Sequence, residues 1–287
     1  MTPTKIKLTE CPRDAMQGLK NFVPTEIKAA YINLLLEVGF DTIDFGSFVS
    51  PKAIPQMADT AEVLTKLQIP ANGSRLLAIV ANQRGAEEAV MFDEITYLGY
   101  PFSISETFQL RNTNKTIAES LELVQTLQEL CIKNSKQLVV YISMGFGNPY
   151  GDPYDAGIAA QWVSELAGMD ISIISLADTV GVAAPATITQ LFKELVPAYP
   201  TVEFGAHFHS APQNWEEKVV AAYNQGCRRF DSTIKGIGGC PMAEDELVGN
   251  LATENLLWFC KQHNEETKLN QSALQEAQRL AERMFIY

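Results

Sequence analysis

The chain has 287 residues, 46% of them hydrophobic and 20% charged, a composition that supports a sizeable core and excludes an intrinsically disordered protein. Its 34 acidic residues against 22 Lys plus Arg leave a formal net charge of −12, the wrong sign for a surface that grips nucleic-acid phosphates. A small anionic ligand is still compatible with that charge, because it needs only a few placed cations and backbone donors.

No stretch approaches the roughly 18 apolar residues of a membrane span. The longest uncharged run, 137–151, is broken by polar residues, so no membrane partner is expected. The opening MTPTKIKLTECPRD reads as a strand almost at once; no signal or transit peptide is expected, and the expected location is cytoplasmic. Cys11, Cys131, Cys227, Cys240 and Cys260 are odd in number and form no CxxC pair, which argues for reduced thiols rather than a disulfide framework or a zinc cluster.

Apolar, β-branched runs alternate with stretches of helical spacing. In chain order they predict a strand over 5–9, a helix over 24–38, a strand over 42–48, a helix over 55–67, a strand over 75–81 and a helix over 84–91. A strand over 94–100, a helix over 115–133, a strand over 138–144, a helix over 155–167, a strand over 171–177 and a helix over 185–196 follow. The series ends with a strand over 202–209, a helix over 214–225 and a strand over 229–234. Strands that are apolar on both faces and alternate with helices call for a parallel sheet, and eight such units close into a (β/α)8 TIM barrel. Helical segments near 244–262 and 272–285 are expected to cover it. No linker or low-complexity tract divides the chain, so residues 1–287 read as one α/β domain, with 240–287 forming an active-site loop and a C-terminal helical cover. The competing doubly wound sheet usually carries a Gly-rich turn after its first strand; here that turn is ECPRDAMQ.

In a barrel of this kind function belongs at the C-terminal strand ends. Arg13 and Asp14 follow the first strand, Asp44 lies on the second, Asp178 follows the sixth, and a GIGGC turn follows the eighth. Two of the three histidines, His207 and His209, end the seventh. Spaced by two on a strand, they project to one side, where they either grip one cation or sit as satisfied interior histidines. Asp14 favours the cation, because barrel closure brings the first strand near the seventh. Two nitrogens with hard oxygens suit Mg²⁺, Mn²⁺ or Zn²⁺. Arg13 is either a buried ion-pair partner or a charge stabiliser for a developing oxyanion. Asp44 and Asp178 suit proton transfer, support of other groups, or helix capping. The loop ending in Cys240 is either a lid carrying a reactive thiol or a tight turn. Asn250 alone reads as a helix cap.

Taken together, PRDAMQ (12–17), SFVSPKAIPQM (47–57), DTVGV (178–182), HFH (207–209), GIGGCP (236–241) and GNLATE (249–254) resemble the hydroxymethylglutaryl-coenzyme A lyase family, over about 10–254 of the chain. The resemblance implies that Asp14, His207, His209 and Asn250 hold a divalent cation, most simply Mg²⁺ or Mn²⁺. It implies that Arg13 polarises the substrate oxygen, with Asp44 in the catalytic set, that Asp178 lies near the reacting hydroxyl, and that Cys240 acts as acid or base. Gln17, Lys20, Ser47, Lys52, Asn148 and Tyr150 fall in regions around an acyl-coenzyme A. The implied reaction cleaves 3-hydroxy-3-methylglutaryl-coenzyme A to acetyl-coenzyme A and acetoacetate, as in leucine degradation, in a homodimer.

The chain departs from the family pattern at Ala15-Met16 (for Gly-Leu), Asp44 (for Glu), Asn148 (for Cys), Ala177 (for Gly), Ser210 (for an acidic residue) and Met242 (for Tyr). Several of these positions are expected to line the acyl pocket. A related aldolase or Claisen-type synthase acting on another acyl-coenzyme A or a 2-oxo acid, and a non-catalytic metal- or acyl-coenzyme A-binding barrel, are the alternatives.

Overall fold

A computed structural model describes residues 5–70, 73–239 and 248–285. Eight parallel strands form a closed barrel in sequence order: β1 (Lys7–Glu10), β2 (Thr42–Ser47), β3 (Arg75–Ile79), β4 (Ile95–Ser103), β5 (Gln137–Ser143), β6 (Ile173–Asp178), β7 (Glu203–Phe208) and β8 (Arg229–Ser232). Closure comes from β1 pairing with both neighbours, Thr9 with Thr42 of β2 and Thr9 with Asp231 of β8. An open, doubly wound sheet would leave two edges, so that alternative is excluded.

The described helices are α1 (Pro12–Gln17), α2 (Thr25–Val38), α3 (Thr60–Leu64), α4 (Gln83–Ala89), α5 (Glu106–Thr113), α6 (Ile117–Lys133), α7 (Ala156–Gly168), α8 (Pro185–Ala198), α9 (Trp215–Asn224), α10 (Thr253–Gln262) and α11 (Gln271–Met284). None is long and apolar enough to cross a membrane. Their starts follow local chemistry. Thr116 and Glu119 form a reciprocal capping box at α6, and the side chains of Asn82, Ser105 and Asp155 each accept a backbone N–H at α4, α5 and α7. Barrel and helices together bury a large apolar core, with Phe40, Phe102, Phe192, Phe230 and Phe259 among its largest fully buried members, and with charged side chains such as Arg229, Lys28 and Lys218 buried beside them.

Four details differ from the sequence expectation. The strand expected to end at residue 100 continues to Ser103 through Pro101. Gly99 O accepts from Val80 N, so strand alternation aims the Pro101 nitrogen toward the β3 side as well, beyond the last residue of that strand, where no ladder bond is lost. The helix expected over 55–67 divides into a 3-10 turn, Pro55–Met57, and α3, while α1 and α5 are short helices that a search for apolar periodicity passes over. Residues 248–252, expected to be helical, instead run beside the ends of β7 and β8, with Asn250 bridging His209 and Ala252 bridging Thr233. The C-terminal α11 packs on α2: Phe285 meets Tyr31 edge-to-face at 5.8 Å, and Asn270 N donates to Val38 O at 2.9 Å.

Glu10, at the end of β1, ties these parts together and was not singled out from sequence. It is fully buried; Oε1 accepts from Ile234 N at 2.7 Å and Oε2 lies 2.5 Å from Thr253 Oγ1, which in turn lies 2.9 Å from Ser232 Oγ. Thr253 donates to Glu10, and the Ser232 hydroxyl can donate to Thr253 in turn, so the three side chains form one buried hydrogen-bonded chain. Burial pushes the Glu10 carboxyl up to about 8, against the pull of those hydrogen bonds. The native state therefore binds a proton that the unfolded chain releases near pH 4.5, and the associated stability is present below that pH and lost as pH rises through about 8. Glu10→Gln should flatten this dependence: in chemical unfolding at pH 5 and pH 8.5, wild type loses roughly 2–4 kcal/mol more than the variant between the two pH values.

Candidate active site

The turn after β1 becomes α1 because Pro12 opens a helix, and Asp14 falls in its first turn, where the helix N-terminus favours a carboxylate. Helical spacing brings residues 13, 14 and 17 together. Arg13 Nη1 donates to Gln17 Oε1 at 2.9 Å and to Asp14 Oδ1 at 3.1 Å, and Gln17 Nε2 donates to the same Oδ1 at 2.5 Å. The other edge of Arg13 grips Asp44 on β2, with Nε 3.1 Å and Nη2 2.5 Å from Oδ2. Burial pushes the Asp44 carboxyl up to about 6 despite Arg13. At Asp14 burial acts in the same sense, yet the Arg13 guanidinium above all, with His207, outweighs it and holds the carboxyl below the usual carboxylate range.

His207 on β7 and His209 just beyond it point to one side, their rings 5.4 Å apart. Nδ1 of His207 lies 3.1 Å from Asp231 Oδ2, and its Nε2 lies 3.9 Å from Asp14 Oδ2. Burial pushes His209 down to about 4, so at neutral pH it is the uncharged imidazole that ligates metals. One donor atom from each of Asp14, His207 and His209 falls within 4.8 Å of the others, a spacing that one cation can satisfy. Asp14 Oδ2 is buried and has no hydrogen-bond partner among the described residues. Leaving such an oxygen unpaired costs about 1–3 kcal/mol or more, which a bound cation would offset. The donor set therefore fits a divalent ion.

Asn250 lies beside this group through its backbone bridge to His209, and its Nδ2 donates to Ile237 O at 3.1 Å. Gly238, at φ +97°, lets the loop after β8 cross at this point: a Cβ there would stand 2.7 Å from Asp14 O and 2.9 Å from Asn250 Nδ2. Cys240, the thiol singled out from sequence, and Met242 lie outside the described residues.

A cavity of about 420 Å³ opens over these groups. Arg13, Asp14, Gln17, Ser47, His207 and His209 line it as expected. So do Tyr141, Arg111 and Lys115, which sequence reasoning missed. Tyr141 sits on the inward face of β5 with its ring edge-on to His207 at 5.8 Å; a Tyr in an apolar strand carries no sequence signal of such a place. Lys20 and Lys52 are exposed and outside the lining. Asn148 shapes a turn, its Oδ1 accepting from Tyr150 N and Asp152 N at 3.0 and 3.1 Å. The Tyr150 ring stacks on Phe108, and the Arg111 guanidinium lies 4.6 Å from it.

Asp178 faces elsewhere. Ala177 and Thr179 line the cavity, and the side chain between them lies on the opposite face by strand alternation. Its Oδ2 accepts from Lys218 Nζ at 2.6 Å and its Oδ1 from Ala183 N at 3.1 Å. Lys218, itself buried, also donates to Gly181 O and His209 O, both at 3.0 Å, and so joins the loop after β6 to the backbone of His209. Lys218→Met would leave Asp178 buried and unpaired, and should cost ~3–5 kcal/mol in equilibrium unfolding. The double change Lys218→Met with Asp178→Asn should cost clearly less.

A closed parallel barrel with a guanidinium, carboxylates and two imidazoles gathered at its C-terminal mouth defines a (β/α)8 barrel enzyme. The HMGL-like family model matches residues 5–281, and the chain belongs to that family. It is 33% identical over 279 residues to the mitochondrial hydroxymethylglutaryl-CoA lyase of Mus musculus, covering 96% of this chain and 84% of that protein. To a hydroxymethylglutaryl-CoA lyase of Bacillus subtilis it is 32% identical, covering 96% and 91%. Among solved structures, an HMG-CoA lyase from Acinetobacter baumannii in complex with coenzyme A and 3-methylmalate matches with a TM-score of 0.91 and 30% identity, over 99% of this chain and 92% of that one. The carboxyl transferase domain of Rhizobium etli pyruvate carboxylase, at 16% identity and a TM-score of 0.72, shares the fold.

Proposed function

We propose that this chain is a divalent-metal-dependent carbon–carbon lyase that cleaves 3-hydroxy-3-methylglutaryl-coenzyme A to acetyl-coenzyme A and acetoacetate. The observation that carries the reading is the unpaired, buried Asp14 Oδ2 facing the His207–His209 pair, within a chain whose curated relatives are such lyases. Asp14, His207, His209 and Asn250 would hold the ion, Mg²⁺ or Mn²⁺. When bound, it supplies Lewis acidity to substrate oxygens.

The chain's own residues account for the rest. Arg13 is fixed on two sides, by Asp44 and by Asp14 with Gln17, so its guanidinium meets charge on the reacting oxygen without reorganising. The tertiary hydroxyl loses its proton and becomes a ketone as the carbon–carbon bond breaks; the bonding pair leaves with the acetyl thioester as an enolate, which takes up a proton at carbon. Cys240, which follows the GIGG run after β8 in the sequence, is assigned that acid–base work. Asp178, committed to Lys218, is assigned to hold the wall beside His209. Arg111 and Lys115, with Ser47 and the Tyr150 ring, are assigned to the acyl carrier; Lys20 and Lys52 serve its outer phosphates. The remaining parts of the reading are a single barrel domain over 1–287, a homodimer, a cytoplasmic location and a place in leucine breakdown.

Purified protein with Mg²⁺ or Mn²⁺ should release acetoacetate from hydroxymethylglutaryl-coenzyme A, and His207→Ala should lose both turnover and metal affinity. Undiminished activity in excess chelator would overturn the reading. A panel of other acyl thioesters, with and without 2-oxo acids, separates it from the synthase and aldolase alternatives. Arg111→Ala and Lys115→Ala should raise KM for the thioester several-fold and change kcat little, as measured by steady-state kinetics.

A further inference from the structure

We propose that Asp231 is a positioning residue that holds the ring of His207 with Nε2 turned toward Asp14, and that Arg229 is the buried counter-charge built into the barrel for it. The inference rests on the metal-holding role of His207 proposed above.

The placement follows from β8. Arg229 and Asp231 are two residues apart and share the inward face of the strand. Register sets Asp231 directly beside His207 of β7 on one side and Thr9 of β1 on the other. Asp231 is 2% exposed; its Oδ2 lies 3.1 Å from His207 Nδ1. A neutral imidazole whose Nδ1–H donates a hydrogen bond to a carboxylate presents a bare lone pair at Nε2, the nitrogen nearest Asp14 Oδ2. The contact also fixes the ring plane, with the Tyr141 ring edge-on to it at 82°.

A carboxylate sunk inside a barrel needs a counter-charge, and the same strand supplies one. Arg229 is 1% exposed and reaches Glu203 Oε1 through Nη1 at 3.2 Å. Its Nε and Nη2, like Asp231 Oδ1, have no hydrogen-bond partner among the described residues. Space for the guanidinium stem is built in: the residue opposite Arg229 in register is Gly205, where a Cβ would come within 3.3 Å of Arg229 Cδ and 2.9 Å of Ser175 Oγ. The Tyr97 ring flanks the guanidinium at 5.5 Å.

Mn²⁺ binding, followed by the electron paramagnetic resonance signal of free Mn²⁺, tests the role in wild type, Asp231→Asn and Asp231→Ala. An amide can turn its NH₂ toward Nδ1 and so move the ring proton to Nε2, where it blocks ligation. Both variants should bind Mn²⁺ about 10–100-fold more weakly while keeping a cooperative thermal transition. Affinity within twofold of wild type in folded Asp231→Asn would overturn the inference. A second measurement needs no variant and no metal: ¹⁵N spectra of histidine-labelled, metal-free wild type at pH 9 should show the His207 proton on Nδ1, and a proton on Nε2 would overturn the inference. Should wild type bind no Mn²⁺, the metal reading fails, and the tautomer still decides whether Asp231 positions the ring.

Discussion

The site turns on one buried carboxylate. Asp14 has one oxygen saturated by Arg13 and Gln17 and the other aimed, without a donor, at the imidazoles of β7. A carboxylate in that position is tolerable only where cations surround it. Much of the local architecture serves that end. A helix of six residues, opened by Pro12, places Asp14 in its first turn. Barrel closure through the β1–β8 and β7–β8 pairs brings His207 within 3.9 Å of it. Gly238 lets the last loop pass against its main chain and the Asn250 amide.

Beneath Asp14 the barrel interior continues as a column of alternating charge. His207 stands on Asp231, Asp231 shares its strand face with Arg229, Arg229 pairs with Glu203, and Glu203 pairs with Lys7 at the opposite end of the barrel. Glu203 joins Lys7 and Arg229 directly, while Asp231 and Arg229 act on each other only as opposite charges on one strand face. TIM-barrel interiors are usually filled by branched aliphatic side chains. Here a column of charged side chains takes part of that space, and its upper end, Asp231, touches His207. The apolar remainder, Leu77, Val139, Ile173 and the Tyr97 and Tyr141 rings, packs as a separate small cluster within the barrel.

Much of this was legible in the sequence, and the omissions have physical causes. All eight strands, their order and their closure follow from apolar runs that alternate with helices. The residues gathered at the mouth follow from asking what stands at each strand end. Strand alternation at the start of DTVGV sends Ala177 and Thr179 to one face and Asp178 to the other, where Lys218 stands on α9. In RFDS the same alternation sends Arg229 and Asp231 to one face of a buried strand, so two opposite charges enter the interior together. Lys218 itself was hidden among the charges that open α9, because a lysine on a helix reads as solvated unless its burial is known. Glu10 was hidden in the same way, because its complete burial against Ile234 and Thr253, which raises its carboxyl, exists only in three dimensions.

The chain's charge of −12 sets a last constraint on how an acyl carrier with several phosphates approaches. At physiological ionic strength exposed charges act over about 8 Å, so the acidic bulk of the surface matters less than what lines the mouth. There Arg111 and Lys115 stand ahead of the deeper groups. At the base of the site one guanidinium faces two carboxylates, Asp14 and Asp44, so the protein's own charges sum to a net negative. A reaction that develops negative charge, first on an alkoxide and then on an enolate oxygen, is opposed by that sum unless two further positive charges enter. A divalent ion at the Asp14–His207–His209 set is the smallest addition that reverses the sign, and for that reason the same arrangement that leaves Asp14 Oδ2 unpaired also makes it useful.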